Sequence, residues 1–175
     1  MCWIIDKEKF DSCSNIFHNV AEDDIIVYKI GKIKNSYFMP MFHSNFKYKA
    51  NIIKHIKKFC LKESTFNNYY YYVNRGYHSY SKNCLLTIGS SIENERILML
   101  KVLRIDYLYN GGEVIGFYHL DSDIGKFIIP KGSEYYENEK GEIVSSQIMW
   151  TGEYCKGENI KKSLIEFKNL ELCLG

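Results

Sequence analysis

The stretch IIVYKI, residues 25–30, is rich in β-branched and other apolar side chains. Such a run favours a strand that is buried on both faces over an edge strand of alternating polarity. Gly31 follows and is expected to end the strand. The next residues contain an Asn35-Ser36 turn signal and Pro40, so residues 32–41 are expected to form an exposed loop or an irregular hairpin.

Further strands are expected on both sides of this run. Runs with strand propensity cover residues 69–73, 127–129, 134–136 and 143–150. A longer strand is predicted at 96–109, and it would pair with 113–120 through the turn signal at 110–112. Turn signals at 130–132 and 139–142 separate the later strands. The pattern is that of a mostly antiparallel sheet.

One segment has a helical period. Ile52, Ile53, Ile56, Phe59 and Cys60 recur at helical spacing, and four lysines occupy the remaining face. We therefore predict a basic amphipathic helix over about 49–62. Its lysines form either a solvated outer side or a contact for an anionic partner. The second interpretation gains weight because no acid lies four residues away to pair with them. The predicted fold is a single α+β domain over residues 1–175.

The totals restrict the class of protein. The 175 residues are 46% hydrophobic, which is enough for one core. No apolar run is long enough to cross a membrane, and the N-terminus lacks the apolar run of a signal peptide. The six cysteines are scattered without a closely spaced pair, so we expect free thiols, mostly in the core, and no zinc site. A cytoplasmic location in a bacterial host cell is expected.

Charge is distributed unevenly along the chain. Residues 29–82 contain eleven Lys or Arg and one acid, Glu63, a local net charge of +10, whereas the whole chain nets +2. From Ser91 onward, ten basic residues face fourteen acidic ones, a net of −4. Clustered positive charge with interleaved aromatic residues offers an anionic partner long-range attraction and stacking surfaces. The sequence thus indicates a partner and not a reaction.

The segment Gly76–Ser81 combines a glycine, a histidine and several hydroxyl side chains. It either lines a pocket or places His78 in hydrogen bonds beneath a turn. No glycine-rich stretch has the strand and helix context of a phosphate loop, and no nucleophile and base have a supporting spacing. Neither a cofactor nor a catalytic residue is predicted.

Four segments together resemble a family of small proteins from gut bacteria and their phages. The family segments run approximately D-I-x-x-Y-K, G-F-H-S-F and I-P-K-G-x-x-Y-Y, with a later S-N-x-I. The matching segments here are 24–29, 76–80, 129–136 and 144–148, and the similarity covers about residues 22–150. This chain has Tyr77 and Tyr80 where phenylalanine is commoner, and Ser146 where asparagine is commoner. The resemblance implies a phage-like origin and brings no established chemistry with it.

Origin and charge together predict an inhibitor of a bacterial nucleic-acid-guided defence nuclease, similar in role to anti-CRISPR proteins. Its partner would be the nuclease or its RNA or DNA, without a membrane. The residues expected to make the contact are Lys47, Lys49, Lys54, Lys57, Lys58, Lys62 and Arg75, with Tyr70, Tyr72, Tyr77 and His78 beside them. The alternative is an enzyme similar to ADP-ribosyltransferases that uses NAD, with Tyr28 and a glutamate facing a cleft at 76–81.

Overall fold

The computed structural model describes residues 3–40, 46–63, 69–73, 75–82, 84, 123–139 and 141–155. Two short helices, α1 (Lys7–Ser12) and α2 (Ser14–Phe17), lie near the N-terminus. The strands are β1 (Trp3–Asp6), β2 (His18–Val20), β3 (Ile25–Lys34), β4 (Tyr37–Pro40), β5 (Tyr48–Lys49), β6 (Ile53–His55), β7 (Lys62–Glu63), β8 (Tyr70–Val73), β9 (Tyr77–Tyr80), β10 (Asp123–Ile129), β11 (Glu134–Glu137), β12 (Glu142–Ser145) and β13 (Gln147–Cys155). These strands pair antiparallel. The predicted mostly antiparallel α+β fold is confirmed in broad outline.

The larger sheet curls until two of its parts meet. Eight of its strands follow the order β2-β11-β12-β9-β3-β10-β13-β6, and β4 and β5 extend from β3. Ser146 alone separates β12 from β13 along the chain, yet three strands lie between them in the sheet. One residue spans only about 3.5 Å, so the sheet must bend round to bring these strands together. At this corner the Ser146 N–H donates to the Glu134 carbonyl oxygen at 2.9 Å.

The curled sheet encloses an aromatic core. The Phe127 ring meets the Phe38 and Tyr48 rings edge-on, each at a centroid distance of 5.1 Å. Trp150 and Ile148 of β13 complete the centre of this cluster. Edge-to-face pairs of this kind add to the stabilisation from burial alone.

β3 lies in the middle of the larger sheet. It continues to Lys34, so the prediction that Gly31 ends it is wrong. The strand continues because Asn35 and Ser36, with φ of 51° and 64°, form a two-residue turn that pairs β4 directly with the end of β3. A Cβ at Gly31 would lie 2.2 Å from the Met39 carbonyl oxygen, so only glycine permits this close approach.

A three-stranded sheet of order β1-β8-β7 packs on a second cluster of buried residues. Ile5 and Val73 come from the small sheet, whereas Tyr136 and Val144 belong to the larger one, so this cluster joins the two sheets. The chain enters α1 through Asp6, whose carboxylate accepts the Lys9 N–H at 3.0 Å as an N-cap.

The predicted basic helix over about 49–62 is wrong. These residues contain the end of β5, then β6, and a segment without regular secondary structure that leads into β7. Asn51 has φ of 61°, in the left-handed region, which a right-handed helix excludes. The Ile56 N–H donates to the Ser146 carbonyl oxygen at 2.9 Å, so the backbone is satisfied by the larger sheet. Pairing with distant strands has overridden the local period.

The structure also describes several of the other predicted strands and some of the cysteines. The strands at 69–73, 127–129 and 134–136 are confirmed by β8, β10 and β11, and the run at 143–150 is divided between β12 and β13. The predicted strands at 96–109 and 113–120 lie outside the described residues. Among the cysteines that the structure describes, Cys84 is buried, but Cys13 and Cys60 are exposed, contrary to the core prediction. In the described segments no helix has the length and apolarity needed to span a membrane.

Candidate anion-binding interface

The outward side of β3, β4 and β5 carries a group of lysines. In β3 and β4, Lys34 pairs with Tyr37 and Lys32 pairs with Met39. In β4 and β5, Tyr37 pairs with Lys49. Side chains alternate along a strand, so residues paired in this way share one face. We name the group the basic face; it consists of Lys32, Lys34, Tyr37, Met39, Lys47 and Lys49.

Positive charge on the basic face is not compensated. Its four lysines are exposed and form no ion pair within the described chain. Phe38 and Tyr48, the neighbours of Tyr37 and Lys49 along the chain, are buried in the core. Buried side chains therefore hold β4 and β5 beneath the basic face, and the short turn after β3 fixes the register of β3 with β4.

The second exposed basic region follows the connector, which we define as residues 50–61 between β5 and β7. Phe59 packs on Tyr136 with a centroid distance of 5.3 Å, whereas Lys57 and Lys58 are exposed. Arg75 is also exposed and lies near the connector, because a Cβ at Gly76 would be 3.0 Å from the Phe59 ring. The isoleucine pattern thus identified Lys57 and Lys58 as outward residues, although the backbone is not helical.

The small sheet brings two predicted tyrosines beside Lys62. Tyr72 pairs with Lys62 on one side and with Ile4 on the other. Tyr70 lies two residues away on the same face and is 39% exposed. Tyr70, Tyr72 and Lys62 therefore lie on one face of the small sheet together with Ile4, and their role in a contact stays a prediction.

Three other predicted contact residues do not lie on an open surface. Tyr77 is buried in the core, where its ring meets that of Tyr48 at 6.3 Å. Lys54 is half-buried and pairs with the core residue Ile148. His78 is half-buried in β9, and its carbonyl oxygen accepts a hydrogen bond from the buried Lys29. The positive charge of residues 29–82 therefore does not form one continuous surface.

Two lysines share one tyrosine ring inside the sheet. The Lys29 and Lys54 ammonium nitrogens lie 5.5 Å and 4.9 Å from the centroid of the Tyr48 ring. Lys29 is only 6% exposed, and burial lowers the pKa of its ammonium to about 7. Burial also lowers the pKa of Lys54 and raises the pKa of the Tyr48 phenol. Within the described chain neither lysine forms an ion pair.

The segment Gly76–Ser81 bears on the transferase alternative. Tyr80 pairs with Tyr28 of β3 and with Glu142 of β12. Burial, with a smaller effect of Glu142, raises the pKa of Tyr80 to about 12. Ser79 faces the opposite side and is 1% exposed, and its hydroxyl has no hydrogen-bond partner in the part of the chain that the structure describes. Since Tyr28 is also buried, two of the side chains needed at a cleft are enclosed.

Sequence reasoning missed Lys32, Lys34 and Tyr37 as contact residues. The signal was the alternation Lys32-Ile33-Lys34 before a two-residue turn, which places both lysines on one face of a hairpin. The prediction that Gly31 ends the strand excludes this alternation, because it assigns Lys32 and Lys34 to a loop.

Within the described ranges no group of three or more metal-binding side chains comes together. Comparison of the chain with family models, with curated proteins and with solved structures gave no match. The resemblance to the gut-bacterial and phage family therefore stays a prediction from its four segments.

Proposed function

We propose that this protein acts by binding, as a phage or mobile-element inhibitor of a bacterial nucleic-acid-guided defence nuclease. Its basic face and the exposed cations of the connector would contact the nuclease or its RNA or DNA. The observation that carries the proposal is the basic face, where Lys32, Lys34 and Lys49 lie on adjacent strands and Lys47 directly precedes β5. All four lysines are exposed, and none forms an ion pair in the described residues.

Charge clustering supports a partner because it does not help the fold. Lys32 and Lys34 lie two residues apart on one strand, about 7 Å, and Lys34 and Lys49 lie on either side of β4, about 10 Å apart. Like charges clustered at such distances repel one another. Several lysines on other elements do have carboxylates nearby, such as Lys9 with Glu139 at 3.0 Å and Lys126 with Glu153 at 3.2 Å. The basic face has no such compensation, and a polyanion would supply it.

The identity of the partner rests on the sequence. The four family segments suggest a phage-like origin, and no catalytic signature accompanies them. A small phage protein with a basic surface suits a role in which it occupies a nucleic-acid-handling enzyme or the nucleic acid that the enzyme holds.

The test is capture of a guided nuclease by the tagged protein. The protein is purified from cells that contain such a nuclease, with and without its guide RNA, and washed at 50 mM and 500 mM salt. We expect capture at low salt and loss at high salt, because contacts between lysines and phosphates are weakened by salt. Cleavage of a target DNA by the captured complex should be reduced.

A matched pair of variants locates the contact. Lys34→Glu with Lys49→Glu should abolish both capture and inhibition. Lys9→Glu with Lys131→Glu changes the charge equally at two exposed lysines on other elements, and should leave both intact. Capture that persists at 500 mM salt, or equal loss in both double variants, would contradict the proposed interface.

The alternative is an NAD-using enzyme similar to ADP-ribosyltransferases. The pairing of Tyr80 with Tyr28 and Glu142 favours it, since it brings two tyrosines and a carboxylate together. The burial of Tyr28 and Ser79 counts against it. An increase in melting temperature with NAD, together with no capture of a nuclease, would favour the enzyme over the inhibitor.

A further inference from the structure

We infer that the basic face binds single-stranded nucleic acid directly, with a base stacked on Tyr37 and phosphates held by the flanking lysines. This inference rests on the proposed function and names the ligand of the same surface. It distinguishes a nucleic-acid contact from contact with an acidic protein.

A row of three side chains crosses three strands. Lys34 of β3, Tyr37 of β4 and Lys49 of β5 are paired in register, so each lysine is a direct neighbour of the tyrosine. Directly paired side chains have Cβ atoms about 5 Å apart. A base on the Tyr37 ring would therefore have an ammonium group within reach on both sides, where its own phosphates continue.

A second row extends the same face along the strands. Lys32 pairs with Met39, two residues from Lys34 and Tyr37 respectively. Lys47 precedes the buried Tyr48 and is exposed, as is Lys49 two residues later. The two rows lie about 7 Å apart, since each residue of a strand rises by about 3.3 Å. Four positive charges thus cover a small area that suits a few nucleotides.

The tyrosine is accessible and firmly held. Tyr37 is 37% exposed, while its neighbour Phe38 is fully buried against Phe127 and Trp150. The two-residue turn at Asn35 and Ser36 leaves no long loop between β3 and β4. A stacking ring that is already in place loses little conformational freedom when a ligand binds.

The composition of the face favours a single strand over other polyanions. In a duplex the bases are stacked on one another and cannot lie on an aromatic ring of a sheet surface, whereas unpaired bases can. A protein interface normally has a desolvated apolar centre with large anchors. Here only the half-buried Met39 and Tyr37 are available, so charge and stacking would provide the binding free energy.

Binding is measured by fluorescence anisotropy with fluorescein-labelled ten-nucleotide oligo-dT and oligo-U at 50 to 200 mM NaCl. With four phosphate contacts, the logarithm of the binding constant should fall against the logarithm of salt with a slope of about −2.8. This corresponds to about a fiftyfold loss of affinity over that range. A ten-base-pair duplex and poly-glutamate serve as competitors, and both should compete weakly.

Variants separate stacking from charge. Tyr37→Leu should weaken binding roughly fivefold or more, whereas Tyr37→Phe keeps the ring and the affinity. Lys34→Gln with Lys49→Gln should reduce the slope to about −1.4. Lys9→Gln with Lys131→Gln removes the same charge from exposed lysines outside the basic face and the connector, and should leave the slope unchanged. All four variants change exposed side chains, so their melting temperatures should stay close to that of the parent.

Three results would overturn the inference. They are equal affinity of Tyr37→Leu and Tyr37→Phe, equal loss of slope in the two double variants, or competition by poly-glutamate as strong as that by oligo-dT. The nuclease assay and the oligonucleotide assay test the two proposals separately. Oligonucleotide binding without inhibition of the nuclease supports this ligand and refutes the inhibitor role. Inhibition without oligonucleotide binding leaves the proposed function and refutes the ligand.

Discussion

Replacement of Lys29 by methionine should raise the free energy of unfolding at neutral pH. The Lys29 ammonium lies 5.5 Å from the centroid of the Tyr48 ring and 5.9 Å from that of Phe127, and it forms no ion pair in the described residues. Methionine has a similar length, carries no charge and adapts to irregular apolar space. The variant loses the hydrogen bond to the His78 carbonyl oxygen, at a cost of about 1 kcal/mol.

The size of the effect follows from two pKa values. Burial lowers the pKa of Lys29 from its ordinary value of 10.5 to about 7 in the folded protein. Between these values the unfolded chain binds more protons than the folded protein, so stability rises with pH. At about 1.36 kcal/mol per pKa unit, the buried amine destabilises the fold by about 4 kcal/mol at pH 7 and by about 2 kcal/mol at pH 9. After the lost hydrogen bond is subtracted, Lys29→Met should exceed the parent by about 3 kcal/mol at pH 7 and about 1 kcal/mol at pH 9.

The assay is urea unfolding at pH 7 and pH 9, monitored by tryptophan fluorescence, which changes when the buried Trp150 becomes exposed to water. The titration of tyrosines and of other groups common to all variants contributes equally to each free energy of unfolding, so it cancels when a variant is compared with the parent at the same pH. Lys32→Met is the matched control, because Lys32 lies on the same strand and is exposed. It should change the free energy of unfolding by less than about 0.5 kcal/mol at either pH.

Two results would refute this reasoning. If Lys29→Met is less stable than the parent at pH 7, the desolvated charge does not dominate at this position. If the difference between variant and parent is the same at pH 7 and pH 9, Lys29 does not titrate between its folded and unfolded pKa values in the way that the linkage requires.

Substitutions at Cys60, Asn51 and Gly31 test the connector and the β3–β4 hairpin, with Cys84 as the buried control for Cys60. Cys60→Ser should remove one fast-reacting thiol equivalent and Cys84→Ser none, because Cys60 is exposed and Cys84 is buried. Slow reaction of the Cys60 thiol would contradict its exposed position in the connector. Asn51→Ala should lower the free energy of unfolding by about 1 kcal/mol while Asn51→Gly leaves it nearly unchanged, since φ is 61°; equal effects in urea unfolding would contradict this backbone conformation. Gly31→Ala should destabilise by about 2 to 3 kcal/mol, because its methyl would lie 2.2 Å from the Met39 carbonyl oxygen; an unchanged melting temperature would contradict that approach.

Local sequence signals predicted strands and turns well where one structure alone suited the residues. The β-branched run at 25–30 became β3, and Asn35-Ser36 became the turn that pairs β3 with β4. Residues 134–136 and 143–145 became the paired strands β11 and β12, with a turn between them as the signal at 139–142 predicts. The two hairpins, β3–β4 and β11–β12, pair strands that are neighbours along the chain, whereas residues 25–31 of β3 also pair with the distant β10.

Residues 49–62 show where a local sequence pattern fails to predict the secondary structure. Isoleucines and lysines at this spacing suit a helix, but an extended chain can bury Ile56, Phe59 and Leu61 just as well. Ile52 and Ile53, predicted to be buried, are 51% and 52% exposed, whereas the predicted outward residue Lys54 is half-buried. The deciding partners are Ser146 and β13, about ninety residues away, which no local period reveals.

In the candidate site, too, some features follow from the sequence alone and others from the tertiary structure. The sequence by itself determined that positive charge is concentrated between residues 29 and 82, because charge depends on composition alone. Tertiary structure decided which of these cations is available to a partner. Cross-strand register placed Lys34 and Lys49 on either side of Tyr37, and curling of the sheet enclosed Lys29. The exposure and the pairing of each lysine depend on strands that are distant in the chain. The side to which a lysine points is therefore set by the curled sheet and not by its neighbours in the sequence.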